Sequence, residues 1–340
     1  MKSNKSVTYL DGIASTGSIT LGNYIGSILP LKKILNKKDK FIFLIADLHG
    51  LTMEEFEEKK IKNSSSEIAK ILYCALEYEK YQNNLIIYRQ SDVLENGYFA
   101  YIISKFISYG DLSRMIQFKE KKNKYLKENK TVSFPASLMT YPILMISDIV
   151  LYSPDYVIGG IDQKNHIELA FSTISKFNKY CHKNVLKLFK FKLYQFAKIK
   201  KLLDPLKKMS KSDKNPKNTI FLLDNPEVAK KKILKSVTDS ENKIFYDEIK
   251  KPGISNLIAI YCALENIEIK VCEEKYLDKS YGEFKNDVAN IVKNFLTNFQ
   301  KKYRQVTNKE IGKVLEKNGI KARNIARKKL KEIKKTLKFS

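Results

Sequence analysis

The first half of the chain alternates short apolar runs with amphipathic segments, and this alternation constrains the fold more than any other feature. The apolar runs lie at residues 7–13, 41–47, 84–90 and 156–160. Such runs are typical of strands that are covered on both faces of a parallel sheet. Residues 64–78 and 98–109 lie between these runs and carry apolar side chains at helical spacing. The pattern predicts an α/β fold, a Rossmann-like doubly wound parallel sheet whose ligand binds at the carboxyl ends of the strands.

The second half of the chain is predicted to be helical, because strand signals thin out after residue 217. Asn225 and Pro226 mark a helix start, with a capping side chain followed by a proline in the first turn. Helical spacing of apolar residues continues in residues 255–267, 283–303 and 320–338. We therefore expect a sheet domain at residues 1–205, and a lysine-rich loop with a helical domain at residues 206–340.

The formal net charge of +26 over 340 residues is unevenly distributed. Residues 301–340 contain 15 Lys and Arg residues against 3 Asp and Glu residues, whereas residues 51–100 have a net negative charge. A charge of this size indicates either a polyanionic partner or a surface that has drifted in composition. Abundant Lys, Ile, Asn, Tyr and Phe would also arise from A/T-rich codon usage. We favour contact between the C-terminal region and a nucleic acid.

Membrane, secreted and metal-cluster proteins are disfavoured. No apolar run is long enough to span a membrane, and the basic N-terminus runs directly into the first predicted strand, so no secretory signal or transit peptide is expected. The four cysteines lie far apart without any CxxC pair, which argues against a zinc or iron–sulfur site. A cytoplasmic protein with free thiols is predicted.

Residues 208–213 read KMSKSD, a combination of charges and hydroxyls that can wrap a polyphosphate. The lysines supply ammonium groups and the serines supply hydroxyl donors. The candidate contacts are Lys208, Met209, Ser210, Lys211 and Ser212. The alternative is a solvated lysine loop, which is common in a chain so rich in lysine.

A second anion-binding candidate lies near the N-terminus, where the first strand leads through ASTGSI into a helical pattern that begins with TLGN. Backbone N–H groups near Gly22 and Asn23 would lie at the helix start, where anions bind. Gly22 carries no side chain that could block close approach. A plain strand-to-helix connection is the alternative, because one glycine-bearing turn is a weak signal.

Asp148 is the most informative single residue. It lies in the run PILMISDIVLY, which is apolar on every helical face and is therefore predicted to be buried. A buried carboxylate is costly unless it accepts a hydrogen bond. The donor is either a protein group, such as a nearby hydroxyl or lysine, or a ligand.

Together the lysine loop and the glycine-bearing turn resemble the paired signatures of class I aminoacyl-tRNA synthetases. The residues Thr20-Leu21-Gly22-Asn23 stand where that class carries its HIGH-type tetrapeptide, in the TxGN form typical of tryptophanyl-tRNA synthetases. Segments similar to that family follow in the same order: ADLHGLT at 46–52, RMIQFKEK at 114–121, LMTYPILMISDIVLY at 138–152, GIDQKNHIEL at 160–169, and TDSENKIFYD with KPGISNL within 238–257. The similarity covers nearly the whole chain.

The resemblance implies a two-step reaction that attaches tryptophan to tRNA(Trp). ATP is the second substrate, Mg²⁺ accompanies it, and no protein ligand to a metal is expected. The resemblance also implies that the helical domain reads the tRNA anticodon and that two subunits pair through the catalytic domain as a homodimer.

The resemblance assigns roles residue by residue. In catalysis it implicates Thr20, Asn23, Lys121, Lys208 and Lys211. For ATP it adds Ala14, Ser15, Thr16, Gly22, Gly160, Ile161, Asp162 and Ile199 to residues 208–212. For tryptophan it implicates His49, Tyr141, Met145, Asp148 and Gln163. Asp148 would accept a hydrogen bond from the indole N–H, and Asp162 would contact the ribose. His166 is expected on a helix face and not in catalysis.

Two segments depart from the family pattern. Ala14, Ser15 and Thr16 replace Gln-Pro-Ser in the usual GIQPSG, and residues 159–161 read Gly-Gly-Ile where Val-Gly-Glu is usual. Contacts made by the backbone would survive both changes, but a glutamine amide and a carboxylate are missing. Two alternatives therefore stay open: a tyrosine-specific relative, and a degenerate RNA-binding homologue without catalysis.

Overall fold

The computed structural model describes residues 6–15, 17–52, 58–128, 133–193, 198–211 and 213–339. Within these residues, five parallel strands form one sheet: β1 (Thr8–Ala14), β2 (Lys40–Ala46), β3 (Leu85–Arg89), β4 (Tyr156–Gly159) and β5 (Lys190–Leu193). Their order is β3-β2-β1-β4-β5. The strands β2 and β3 therefore follow one another on one side of β1, and the chain then crosses to the other side of β1 to form β4 and β5. This reversal creates a crevice at the carboxyl ends of β1 and β4, which confirms the predicted Rossmann-like sheet.

Alternation of side chains along β2 explains why both faces of the sheet are covered. Phe41, Phe43 and Ile45 contribute to one buried apolar cluster, whereas Ile42 and Leu44 contribute to the other. Successive side chains of a strand point to opposite faces. An entirely apolar strand therefore requires a helical layer on each face.

Helices overlap each of the predicted helical patterns, and further helices lie between them. The sheet domain contains α1 (Leu21–Asn23), α2 (Leu29–Ile34), α3 (Glu58–Ala75), α4 (Tyr78–Tyr81), α5 (Glu95–Ser104), α6 (Tyr109–Ser113), α7 (Ile116–Glu128), α8 (Ser137–Val150) and α9 (Lys164–Tyr180). A π-helical turn at Tyr24–Ile28 joins α1 to α2. The later helices are α10 (Pro226–Leu234), α11 (Pro252–Glu265), α12 (Ile269–Lys275), α13 (Tyr281–Gln305) and α14 (Asn308–Leu337). No helix among these described segments is long and apolar enough to cross a membrane.

The last helix, α14, packs against both apolar clusters. Its first half contributes Ile311 and Leu315 to one apolar cluster, and its second half contributes Ala326 and Ile333 to the other. It passes β3, which is one of the two edge strands of the sheet. A covered edge strand cannot pair with another chain. The predicted boundary between residues 205 and 206 stays a prediction, because α14 packs on both parts of the chain.

Candidate active site

The loop after β1 leads into a tightly capped helix start. Thr20 is fully buried, and its hydroxyl oxygen accepts a hydrogen bond from the Asn23 backbone N–H at 3.0 Å. In return, the Asn23 side-chain oxygen accepts from the Thr20 backbone N–H at 3.2 Å and from the Thr20 hydroxyl at 3.0 Å. Because that oxygen is engaged in the cap, the side-chain nitrogen of Asn23 is the group that can donate to a phosphate oxygen.

The lysine-rich loop packs directly against this helix start. A Cβ atom on Gly22 would lie 3.3 Å from Met209 Cβ, which is a tight contact, and 3.5 Å from Ile199 Cβ, which is ordinary van der Waals contact. Met209 is buried, and its backbone N–H donates to the Ile199 carbonyl at 3.0 Å. The structure thus brings together Gly22, Ile199 and Met209, three of the residues predicted to bind the nucleotide.

Lys211 reaches from the lysine-rich loop to the loop after β1. Its ammonium group donates to the carbonyl oxygens of Ala14 and Gly17, each at 3.4 Å. Gly17 has a φ of +67°, a left-handed conformation that favours glycine. Burial lowers the pKa of Lys211 to about 8, although Glu67 acts in the opposite direction. An ammonium group with long contacts to carbonyls can exchange them for stronger bonds to phosphate oxygens.

Ser15 lies at the same loop. Its side chain is 2% exposed, and its hydroxyl has no hydrogen-bond partner among the described residues. Buried hydroxyls normally have a partner, so a ligand atom bound at this loop would satisfy it. Thr16 and Ser212, which were also predicted to contact the nucleotide, lie outside the described residues.

Two anchors hold the lysine-rich loop in place. On one side, Lys201 forms a 2.7 Å ion pair with Asp213, which also accepts a hydrogen bond from the Asn218 amide at 3.1 Å. On the other side, the Asn256 side chain accepts from the Lys200 backbone N–H at 2.7 Å and donates to the Lys200 carbonyl at 3.1 Å. Both backbone groups of that residue are therefore fixed by one side chain of α11.

Lys208 is exposed, unlike its neighbour Met209. A single antiparallel bridge pairs Lys208 with Lys200, so this part of the loop is extended. Adjacent side chains of extended backbone point to opposite sides, which separates Lys208 from the packed surface of Met209. Ser210 is half-buried, and its carbonyl accepts a hydrogen bond from the Thr219 hydroxyl at 3.2 Å. Phosphate contacts by Lys208 and Ser210 stay predictions.

The predicted tryptophan pocket is built on one face of α8. Tyr141, Met145 and Asp148 lie four and then three residues apart in that helix, so their side chains share a face. Asp148 is 1% exposed, which confirms its predicted burial. One carboxylate oxygen accepts a hydrogen bond from the Gln90 amide, and the other has no partner among the described residues. Burial raises the pKa of the Asp148 carboxyl well above its usual range, although the Gln90 amide opposes this.

Gln90 joins Asp148 to His49. It is fully buried where β3 ends, and its side-chain oxygen accepts a hydrogen bond from His49 Nδ1 at 3.2 Å. Because the acceptor is an amide oxygen, the His49 proton lies on Nδ1. Burial lowers the pKa of His49 to about 4, and Lys121 acts in the same direction. His49 is therefore neutral at neutral pH. The protein group that donates to Asp148 is the Gln90 amide, and not the hydroxyl or lysine considered from the sequence.

Tyr141 is the centre of the other wall. Its hydroxyl shares a 2.9 Å hydrogen bond with His166 Nε2, and Lys121 Nζ lies 3.9 Å from the centre of its ring. Burial lowers the pKa of Lys121. Burial lowers the pKa of His166 to about 4, and Lys121 contributes in the same direction. His166 lies on a face of α9, as expected, and this face is buried against Tyr141.

The segment after β4 forms a short helical turn at Ile161–Gln163 that leads into α9. Asp162 is exposed, and its carboxylate accepts a hydrogen bond from the Gln163 amide at 3.0 Å. An exposed carboxylate at this end of β4 can accept from a ribose hydroxyl. The place of Gln163 in the tryptophan pocket stays a prediction, and in this structure its amide is paired with Asp162. Gly160 and Ile161 lie beside the crevice, at the start of the turn.

Sequence reasoning missed Gln90, Asn256 and the part played by His166. Gln90 had a usable signal, since it is a polar residue at the carboxyl end of an apolar strand. Asn256 lies in the apolar helix α11 and is 5% exposed. Buried amides require partners, so its position could have indicated a backbone clamp, but not which backbone it holds.

One family model and several curated relatives match the chain over most of its length. The family model described as tRNA synthetases class I (W and Y) matches residues 1–297. The tryptophan–tRNA ligase of Mycoplasmopsis pulmonis is 44% identical over 319 residues, which is 94% of each chain. The tryptophan–tRNA ligase of Bacillus subtilis is 38% identical over 328 residues, which is 96% of each chain.

Solved structures lead to the same family. The tryptophanyl-tRNA synthetase from Mycoplasma pneumoniae superposes with a TM-score of 0.87 and 32% identity, covering 98% of each chain. The Campylobacter jejuni enzyme, crystallised with ADP and tryptophan, superposes with a TM-score of 0.77 and 25% identity, covering 97% of this chain and 99% of that one. The chain therefore belongs to the class I tRNA synthetases for tryptophan and tyrosine and, within them, to the tryptophanyl-tRNA synthetase family.

Proposed function

We propose that this chain activates L-tryptophan with ATP to tryptophanyl-adenylate and transfers the tryptophanyl group to tRNA(Trp), as a tryptophan–tRNA ligase of translation in the cytoplasm. The observation that carries the proposal is the buried carboxylate of Asp148, which Gln90 holds on one oxygen and which is open on the other. An indole N–H can satisfy that oxygen. A buried acceptor discriminates strongly against side chains that cannot donate.

The first step needs positioning and charge neutralisation more than covalent help from the protein. The tryptophan carboxylate attacks the α-phosphorus of ATP, the bond between that phosphorus and the bridging oxygen breaks, and pyrophosphate leaves. Lys211 and the side-chain nitrogen of Asn23 lie at the loop after β1 and can donate to phosphate oxygens. Fixed donors of this kind stabilise charge that develops in the transition state.

Mg²⁺ would enter with the nucleotide and neutralise phosphate charge. No group of three metal-ligating side chains occurs in the part of the chain that the structure describes, so we propose that the triphosphate itself holds the ion. In the second step a terminal ribose hydroxyl of the tRNA attacks the acyl carbon of tryptophanyl-adenylate, and AMP leaves.

The tRNA would be held by the helical region at residues 206–340, which we propose as the anticodon-reading domain. Its last helix, α14, presents a row of exposed lysines to solvent: Lys309, Lys313, Lys317, Lys328, Lys331 and Lys335. Lysines on one exposed surface attract a phosphate backbone without reading its sequence.

A homodimer would bury the exposed apolar side chains of α5, α6 and α7. These are Leu94, which directly precedes α5, and Tyr98, Tyr101, Tyr109 and Ile116, each at least 50% exposed. Exposed apolar patches of this kind mark protein interfaces. A Tyr101→Glu substitution should convert dimers to monomers in sedimentation velocity, and monomeric wild-type protein would contradict the proposed pairing.

Exchange of pyrophosphate into ATP, measured separately with tryptophan and with tyrosine, tests the proposal. Exchange with tryptophan alone is expected. Exchange with tyrosine alone would assign the chain to the tyrosine-specific relatives, and exchange with neither amino acid would identify a homologue without catalysis. Omitting Mg²⁺ in the same assay should abolish exchange if the ion accompanies ATP.

A further inference from the structure

Gln90 is the first residue of the turn Gln90–Asp92, and one side of this turn is fixed by the sheet. The Ser91 backbone N–H donates to Asp47 Oδ1 at 2.9 Å, and the Ser91 hydroxyl donates to Asp47 Oδ2 at 2.5 Å. Asp47 follows β2 directly, so the turn is tied to the neighbouring strand. Any displacement of the turn moves the Gln90 amide within the pocket.

The other side of the turn is fixed by α14. Arg323 Nε donates to the Asp92 carbonyl at 3.0 Å, and a second N–H of the same guanidinium donates to the same oxygen. Gly319 lies directly against the Asp92 side chain, because a Cβ atom on Gly319 would be 3.1 Å from Asp92 Cβ and 3.2 Å from Asp92 Oδ2. The helix therefore donates to the backbone of the turn and also leaves room for its side chain.

Neighbouring contacts fix the position of α14 along β3. Asn318 is fully buried, donates to the Ile87 carbonyl at 3.1 Å and accepts from the Tyr78 hydroxyl at 3.1 Å. One turn beyond Arg323, the Arg327 guanidinium donates to the Glu95 carboxylate at 2.5 Å. A buried amide with two specific partners allows little sliding of the helix. These two contacts join residues that are far apart in sequence: Asn318 and Ile87 are separated by 231 positions, and Arg327 and Glu95 by 232.

We infer that α14 positions the tryptophan pocket, with Arg323 and Gly319 as positioning residues that act through Asp92 and Gln90. The inference rests on the proposed function, since it assigns the residues that hold the acceptor for the indole N–H. Gln90 donates to one oxygen of Asp148 and thereby orients the other oxygen. A loosened turn lets the carboxylate rotate, which weakens recognition of the indole N–H.

The nucleotide side of the site is built on different elements. Lys211 contacts the loop after β1, and its own loop is anchored by Asn256 of α11. A defect in the turn should therefore act on tryptophan and leave ATP unaffected. Reduced overall stability would instead lower activity with both substrates, so the two causes give different results.

The test is Arg323→Gln in the full chain, assayed by tryptophan-dependent pyrophosphate exchange. We expect the KM for tryptophan to rise about three- to tenfold, the range for perturbing a coupled contact, while the KM for ATP is unchanged. Discrimination against a tryptophan analogue in which sulfur replaces the indole N–H should also fall. Arg323→Lys keeps a cationic donor near Asp92 and should recover part of the effect. Arg304→Gln, at an exposed position on α13, is the matched control and should behave as wild type.

A folded Arg323→Gln variant with wild-type tryptophan KM and wild-type discrimination would overturn the inference. Equal changes in the KM values for tryptophan and ATP would also overturn it. If Arg323→Gln does not fold, Gly319→Ala tests the same contact, because the added methyl group presses on Asp92 and removes no hydrogen bond. An unchanged KM for tryptophan in Gly319→Ala would refute the role of α14. Failure of the proposed function is recognised separately, since wild type itself would then show no exchange with tryptophan.

Discussion

Replacement of Asp148 by asparagine removes one charge from the pocket with little change in shape. The carboxylate is 1% exposed, accepts from the Gln90 amide through one oxygen and has the other oxygen available to a ligand. A hydrogen bond to a charged group contributes about 1.5–3 kcal/mol. Asp148→Asn should therefore weaken tryptophan binding by about 10- to 150-fold.

The same substitution should not destabilise the fold. Burial raises the pKa of the Asp148 carboxyl in the folded protein. Its stabilising contribution is therefore present at low pH and disappears as pH rises through the folded pKa, and above that pKa the buried charge opposes folding. Asparagine carries no charge and can still accept from the Gln90 amide. The free energy of unfolding of Asp148→Asn at neutral pH should equal or exceed that of wild type.

The assay uses the absence of tryptophan from the chain. Emission of the ligand's own indole can be followed without protein background, and urea unfolding of the same samples gives the stability. A tryptophan analogue with sulfur in place of the indole N–H is the control, because its affinity should be similar in wild type and variant. Equal tryptophan affinity in wild type and in a folded Asp148→Asn variant would refute the assignment of Asp148.

Three further predictions concern the nucleotide and the tRNA. The pKa of Lys211 is lowered to about 8, so its ammonium deprotonates as pH rises, and kcat/KM for ATP should fall above that pH; a Lys211→Arg variant should lack this decline. Asn256→Ala removes both hydrogen bonds to the Lys200 backbone and should lower the free energy of unfolding in urea by about 1–3 kcal/mol. The KM for ATP should rise, whereas the KM for tryptophan should not change. An unchanged KM for ATP would exclude Asn256 from loop positioning. Neutralising Lys328 and Lys331 together should reduce the slope of log affinity for tRNA against log salt by about 0.7–0.9 for each phosphate that the protein no longer neutralises, and an unaltered slope would favour compositional drift.

Strands made of continuous apolar runs were predictable, and the short edge strand β5 was not. β1, β2, β3 and β4 consist of apolar runs that stand out from their surroundings. β5 has the sequence KFKL, in which lysine alternates with apolar residues over only four positions, and all four are at least partly exposed. A short strand with one face exposed to solvent has no continuous apolar run, so its sequence carries little hydrophobic signal for a strand.

Local motifs of the site were predictable, whereas the contacts that orient them were not. The TLGN turn and the lysine-rich loop are each contiguous in sequence, so their residue types were visible without the fold. Gln90 and Asp148 are 58 positions apart, and their hydrogen bond depends on how β3 and α8 meet. Spacing along one element cannot specify such a contact.

Net charge could not reveal which cations of the C-terminal region are available to a nucleic acid. Lys329 Nζ donates to the Val185 carbonyl at 2.5 Å and pairs with Glu332 at 3.0 Å, with only 13% of its side chain exposed. Arg323 is likewise engaged with Asp92, on the inner side of α14. The surplus of charge therefore combines cations that face solvent with cations that dock the helix on the sheet. Substitution of the inner cations would disturb the docking of α14 even without tRNA. Salt dependence therefore reports on tRNA contact only when the exposed lysines alone are changed.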